Sequence, residues 1–383
     1  MMLWTRDLIK VMKRKRWFPV KVKPPLQLKG HNIMKQDITS IKTLTVDLSK
    51  QWYHVLGFDQ NRKVVFKKKL NRNKFHSLIA TIHPCSIVLE ACGTAHFWGR
   101  TIRQNGHKAF LISPRRVKQL SDRSKKNDFN DAMAIFEAFS LSATNFVPIK
   151  TEDQQVICSL HRKRENILKE RTLHSNHCRA TLREFGIDLP QGRRRVIECL
   201  IELTSSDGDE IPALLKMSFQ QSLQTLKLLD EQMKCIDKEI NSFAETNKIA
   251  QELQTVPGIG PVISSAMVAQ VGDFNNFSSG RQFAAWLGLV PRQYTTGGKA
   301  KLGPITKAGN CYLRKLLVHG CRSIHLVREK KKDHTVVSWY NQLFEKDKHI
   351  NTRVVALANK VARIIWAVAT KKQGYQPDFV PTS

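Results

Sequence analysis

From residue 41 onward the hydrophobic pattern changes period several times, and each change marks an element. Ile41 to Leu48 alternates and is rich in β-branched residues, which predicts a strand. Tyr53 to Phe58 and Val64 to Phe66 predict two more short strands, separated by turn residues. Phe75 to Ile82 has helical spacing. Ser86 to Leu89 is a short apolar run of the kind a buried strand shows. Ala95 to Arg103 predicts a helix, Ala109 to Ile112 a strand, and the alanine-rich Ala132 to Leu141 a helix. Three strands, then strands alternating with helices, predict an α/β sandwich of about one hundred residues.

Beyond residue 150 the period is helical. A helix is predicted over Gln154 to Phe185, ending at Gly186 and Pro190. Leu215, Phe219, Leu223, Leu226, Leu229, Met233, Ile236, Ile240 and Phe243 then step by threes and fours, a coiled-coil-like seam of about four heptads. Two readings of these helices stay open, packing within one chain or an arm that joins protomers into a dimer or tetramer. At Val256-Pro257-Gly258-Ile259-Gly260 a helix, a Gly-flanked turn and a second helix give the pattern of a helix-hairpin-helix. There Gly258 and Gly260 would let backbone N–H groups approach a phosphate; the bland alternative is an ordinary tight turn. A last helix is predicted over Val354 to Thr370. The organisation is therefore α/β and α multidomain. It comprises a basic arm (1–38), an α/β domain (39–150), a helical coiled-coil-like arm (151–250), a helical C-terminal domain (251–372) and a tail (373–383).

Composition sharpens this. The 383 residues carry 63 Lys+Arg against 32 Asp+Glu, a net charge of +31, which points to a polyanionic partner, most commonly nucleic acid. With 41% hydrophobic residues the chain can build cores, and no apolar run is long enough to span a bilayer. The N-terminus does not read as a secretory signal. Eight Cys without a C-x-x-C pair read as thiols of a reducing compartment. Residues 1–150 hold 29 Lys+Arg and nine Asp+Glu. The first 33 residues, with Lys13, Arg14, Lys15 and Arg16 in a row, read either as a phosphate-binding arm or as a non-native extension ahead of a true start at Met34.

In so basic a segment four acids stand out. Asp47 lies within the first strand and Glu90 closes the run Ser-Ile-Val-Leu-Glu. Asp128 and Asp131 are three apart at a helix start, so they share a face. Either of these two also reads as an N-cap. An acid ending an apolar strand is costly unless it is paired or metal-bound. Four carboxylates from two strands and a helix match a site for two Mg²⁺ ions acting on a phosphodiester.

These residues, with Asn127-Asp128-x-x-Asp131-Ala132, resemble the RuvC-like (RNase H fold) domain of the DEDD insertion-sequence transposases. That family is the bridge-RNA-guided group related to the Piv invertases. The C-terminal half resembles the same family. The matching segments are Val256 to Gly260, the run Gly280 to Gln293 containing Phe283-Ala284-Ala285-Trp286-Leu287-Gly288, Leu302 to Asn310, and Tyr312-Leu313-Arg314. The resemblance spans about residues 40–370.

It implies a recombinase that cuts and rejoins donor and target DNA through a covalent serine-phosphate link. Mg²⁺ is held by the four acids, a structured noncoding guide RNA chooses the sites, and composite sites form in dimers or tetramers. The implied location is the bacterial cytoplasm, on the nucleoid. The family's serine precedes Gly-Gly; here the segment is Tyr294-Thr295-Thr296-Gly297-Gly298, so a threonine stands at that position. Thr296 has the hydroxyl but is β-branched. It is either a working nucleophile, the mark of a decayed copy, or a deliberate change; Ser278 and Ser279 are poor substitutes. Arg292, Lys299, Lys301, Lys307 and Arg314 surround it as candidate phosphate contacts, with Gly297 and Gly298 permitting close approach. Two other classes remain: a metal-only nuclease or resolvase that uses the acids alone, and a non-catalytic nucleic-acid-binding descendant of a transposase.

Overall fold

The computed structural model describes residues 38–120, 128–141, 146–189, 192–205, 211–296, 299–327, 329, 335–343 and 349–376; of residues 128, 193, 296, 299, 300 and 335 the side chains are not described. The expected basic arm, apart from Ile38, and residues 377–383 of the tail lie outside them. The chain forms two compact units, Met1–Ile149 and Lys150–Ser383.

The first unit is a five-stranded mixed sheet in the order β3-β2-β1-β4-β5. Strands β1 (Thr43–Leu48), β2 (Trp52–Phe58) and β3 (Val64–Asn71) form an antiparallel meander. Helix α1 (Arg72–Thr81) leads to β4 (Ser86–Glu90), which pairs parallel to β1. Helix α2 (Ala95–Gln104) leads to β5 (Lys108–Ile112), parallel to β4. Helices α3 (Pro114–Leu120) and α4 (Asp128–Ser140) follow.

Strand alternation sends side chains to two faces. On one, Leu44, Val46, Tyr53, Val55, Ile87, Leu89 and Leu111 pack with Phe75, Ile79, Trp98 and Ile102 of α1 and α2. On the other, Val88 and Ile112 meet Ala134, Ile135 and Ala138 of α4, while Leu56 and Phe58 meet Ala132. Both faces are thus covered, as expected of an RNase H-like sandwich. Edge strand β3 runs past Phe66 to Asn71. The strand expected over Val64 to Phe66 continues through Lys67, Lys68 and Lys69 to buried Leu70. Lysines on an edge also discourage pairing with another chain.

In the second unit α5 (Glu152–Glu184) opens with a capping box, Thr151 and Gln154 exchanging hydrogen bonds. Helix α6 (Arg193–Ser205) was not expected, since its leading arginines mask the buried stripe Val196, Leu200 and Leu203. Helix α7 (Ala213–Thr246) carries the seam. Phe219, Leu223 and Leu226 pack with Cys178 and Leu182 of α5 and Leu200 of α6; Leu229 and Met233 pack on Ile167 of α5. Arg164 pairs with Asp237 at 2.7 Å and Arg171 with Asp230 at 3.1 Å. One heptad forward on α5 is one heptad back on α7, so the helices run antiparallel. The seam is therefore satisfied within the chain; Leu214, Met217 and Leu228 of α7 remain exposed.

Helices α8 (Lys248–Gln254), α9 (Pro261–Val271), α10 (Gly280–Trp286), α11 (Cys311–Val327), α12 (Thr335–Gln342) and α13 (Ile350–Lys371) build the remaining core, and β6 (Pro291–Thr296) with β7 (Lys299–Ile305) form an antiparallel hairpin. Buried His161 of α5 ties this core together: Nε2 meets Ser265 Oγ at 3.0 Å and Nδ1 meets Tyr312 Oη at 3.0 Å. The Ser265 hydroxyl donates to Pro261 O at 2.6 Å. Ser265 therefore accepts from His161 Nε2–H, and Tyr312 donates to Nδ1. Burial, reinforced by Arg164, pushes the imidazole down to about 4. Because the unfolded chain takes up a proton near 6.5 and the folded one only near 4, His161 contributes stability at neutral pH that is lost as pH falls between those values. Chemical denaturation at pH 7 and pH 5 should show a loss on the order of 2 kcal/mol, diminished in His161→Gln. An unchanged pH dependence in the variant would refute this role.

Candidate nucleic-acid cleavage site

The carboxyl-terminal ends of β1 and β4 carry two of the acids. Their parallel register pairs Val46 with Leu89, both facing the α1–α2 layer, so the next residues, Asp47 and Glu90, project together to the opposite face. Across the antiparallel pair Asp47 stands opposite His54, whose buried ring meets the edge of Phe129 at 5.0 Å. Helix α4 packs on this face. Asp131 precedes Ile135 and Ala138 by four and seven positions, which sets it on the stripe that faces the sheet. Asp128 is one turn earlier in α4.

Glu90 feels the other two described carboxylates. Burial raises the pKa of Glu90, and the charges of Asp47 and then Asp131 raise it further. Among the described residues, however, no three His, Cys, Asp or Glu are gathered closely enough to hold a metal ion. The structure thus brings Asp47 and Asp131 within electrostatic range of Glu90 without drawing the three into a cage. A donor set of carboxylate oxygens alone suits a hard divalent cation, which would turn their repulsion into attraction. Thr45, fully buried two residues before Asp47 and on the same face, escapes a sequence reading because threonine is an ordinary strand former; its hydroxyl has no hydrogen-bond partner among the described residues.

The second set of expected residues clusters around the β6–β7 hairpin, which the sequence did not announce because its strands lack an apolar face. Arg292 and Lys301 are exposed on β6 and β7, and Lys307, exposed just past the hairpin, has φ +53°. Thr296 pairs with Lys299, leaving only Gly297 and Gly298 between them; those two lie outside the described residues.

The base of the hairpin is held by a backbone crossing. Thr306 N–H donates to Val290 O at 2.9 Å and Lys307 N–H to Gly288 O at 3.1 Å. Gly288 and Gly309, both at φ +71°, abut backbone so closely that a Cβ would sit 2.3 Å from Ala308 O and 1.9 Å from Trp286 O respectively. Arg314 pins the same crossing, its Nη1 donating to Leu287 O at 2.9 Å and Ala308 O at 2.8 Å. Asn310 caps α11 through the Tyr312 and Leu313 amides.

Two expected phosphate contacts therefore have structural tasks. Arg314 Nη1 is committed to backbone carbonyls, and Gly258, at φ +76°, lies against Gly320 of α11, where a Cβ would meet the Gly320 carbonyl at 2.7 Å. Gly260, before Pro261 at the start of α9, has open space around its α-carbon.

Comparison with known proteins matches both halves. Residues 250–335 match the description "Transposase IS116/IS110/IS902 family", and residues 44–187 match that of a DEDD transposase. A probable family 20 transposase of Pseudomonas aeruginosa is 37% identical over 339 residues, 88% of this chain and 99% of that protein. The transposase for insertion sequence element IS1328 of Yersinia enterocolitica is 38% identical over 332 residues, 87% of this chain and 98% of its own. The transposase for IS1111A of Coxiella burnetii is 35% identical over 362 residues, 92% and 99% of the two chains.

The raised Glu90 pKa gives a test. A carboxyl that holds its proton more tightly when folded loses stability as pH rises through its folded value. Glu90→Gln should raise the unfolding midpoint at pH 8 without divalent cations by about 2 °C. Millimolar Mg²⁺ should stabilise the parent chain and not the variant, as read by differential scanning fluorimetry.

Proposed function

This chain belongs to the IS116/IS110/IS902 family of insertion-sequence transposases, and we propose that it moves its element as an RNA-guided recombinase with a threonine nucleophile. The observation that carries the catalytic part is the convergence of Asp47, Glu90 and Asp131 from two strands and a helix onto one face of the sheet, where the charges of Asp47 and Asp131 act on Glu90. With Asp128 they would hold Mg²⁺, which when bound supplies positive charge to the scissile phosphate and acidifies the attacking hydroxyl. Thr296 Oγ1 attacks phosphorus. A threonine–phosphate ester forms, the bond to one strand end breaks, and that end leaves as an alcohol after taking up a proton. A hydroxyl of a second strand reverses the step and rejoins the DNA. Arg292, Lys299, Lys301 and Lys307 are placed along the hairpin and its exit, where cations offset charge on the phosphate.

A structured noncoding RNA is the proposed source of sequence choice, because base pairing then selects donor and target while a basic protein reads backbone. A net charge of +31 supports such a partner. Assembly into a dimer or tetramer is part of the reading. Since the α7 seam is buried against α5 and α6, exposed Leu214, Met217 and Leu228 are the side chains of that helix available for a second protomer.

An in vitro strand-exchange assay tests the chemistry. Asp47→Ala should lower exchange by about 10³-fold. Thr296→Ala should abolish the covalent protein–DNA adduct, and Thr296→Ser should match or exceed the parent by up to about tenfold. Cleavage that survives Thr296→Ala but not Asp47→Ala would instead identify a metal-only nuclease. Salt-dependent binding without any cleavage by the parent or by Thr296→Ser would identify a non-catalytic descendant.

Guidance is tested separately. The full chain expressed with the DNA flanking its gene should co-purify with a discrete structured RNA and elute as a dimer or larger. A monomer free of RNA on its DNA would sink both parts.

A further inference from the structure

A second feature lies in the same unit as the hairpin. Helix α13, α12, the start of α10 and the base of the hairpin enclose an open groove of about 1450 Å³. Its floor is largely apolar and includes the indoles of Trp339 and Trp366; Arg281, Lys360 and Arg363 stand at its margin. None of the described residues lining it is Asp or Glu.

The aromatic rings are preset. Trp366 Nε1 donates to both Phe274 O and Phe277 O at 3.2 Å, which fixes the indole plane. The Lys360 ammonium lies 4.2 Å from the Trp339 ring centroid. Lys360 and Arg363 are three apart on α13, so they share a face.

We infer that this groove binds a single-stranded segment of DNA, with its phosphates on Arg281, Lys360 and Arg363 and its bases against Trp339 and Trp366. Single strands combine phosphate charge with exposed base faces, and a site for them combines cations with aromatic platforms. A duplex hides its base faces and would leave the indoles unused. A second copy of this chain is a poor occupant, since a protein of net charge +31 has little to offer a cationic margin without carboxylates. Burial and the neighbouring Arg363 both weaken proton binding by Lys360, so an arriving anion relieves an existing tension.

The choice of DNA rests on the reading of Thr296 as nucleophile. Pro291, Gly303, Pro304 and Ile305 of the hairpin base line the groove, and Thr296 ends the same strand β6. Five residue steps of strand span about 17 Å, on the order of five nucleotides at the spacing of a B-form strand. A strand held in the groove and running along β6 would reach position 296 within that many nucleotides.

Fluorescence anisotropy with the full chain tests this, using an oligothymidylate of about ten nucleotides and an oligouridylate of equal length. The Lys360→Glu/Arg363→Glu double variant should bind oligothymidylate at least about tenfold more weakly. Its log–log salt slope should be shallower by about 1.4, two phosphate contacts at about 0.7 each. Trp339→Leu should lose several-fold affinity with the slope unchanged, and exposed Arg281→Glu gives a second charge variant whose melting temperature checks folding. Equal binding by folded variants and parent overturns the inference, as does a tenfold preference for oligouridylate through the same residues. If exchange proceeds but groove variants bind normally, the groove fails and the recombinase reading stands. If no exchange occurs while binding depends on the groove, the converse holds.

Discussion

Repulsion between carboxylates at the ends of two adjacent parallel strands is the constraint around which the first unit is arranged. Strand pairing puts Asp47 beside Glu90, and the alternation of side chains sends both away from the larger core. The helix that covers that face, α4, buries Ala132, Ala134, Ile135 and Ala138 there, with Phe129, Met133, Phe136 and Phe139 packed alongside, and it adds Asp131 to the same neighbourhood. A fold that only sought stability would place hydrophobic residues at these positions. The sandwich tolerates the tension because both of its faces bury apolar side chains away from the strand ends.

The second unit handles charge differently. Several of its cations are engaged internally. Arg164 and Arg171 lock the long helices in antiparallel register, Lys150 donates to the last carbonyls of α9, and Arg314 stitches the hairpin base. Counting cations therefore overstates the surface presented to nucleic acid. Among the cations that remain, those along the groove beside α13 are not matched by acids among the described lining residues.

Much of the α/β half was legible in the sequence, because buried strands such as Ser86–Glu90 have unmistakable apolar runs and the acids interrupt them. The limits had physical causes. Lys67 to Lys69 hid the continuation of an edge strand, because Lys68 stands between Phe66 and Leu70 on the inner face where an apolar residue would have marked it, and Arg193 to Arg195 hid a helix whose apolar stripe begins only at Val196. The hairpin was invisible because it has no buried face to generate alternation. Local sequence cannot reveal that the Arg314 guanidinium meets the Leu287 and Ala308 carbonyls or that Gly258 is matched to Gly320, so these structural tasks are not legible there. The seam of α7 carried a correct period but not the identity of its partner, since helices of the same or another chain satisfy the same heptads.

The way the hairpin is anchored bears on how such a protein changes over time. The two glycines, the Arg314 clamp and the Thr306 and Lys307 backbone bonds that fix it lie below the strands, and no described side chain between Arg292 and Gly303 is buried. Folding therefore exerts little selective pressure on those exposed strand positions, and substitutions there are judged by what the strands contact rather than by stability.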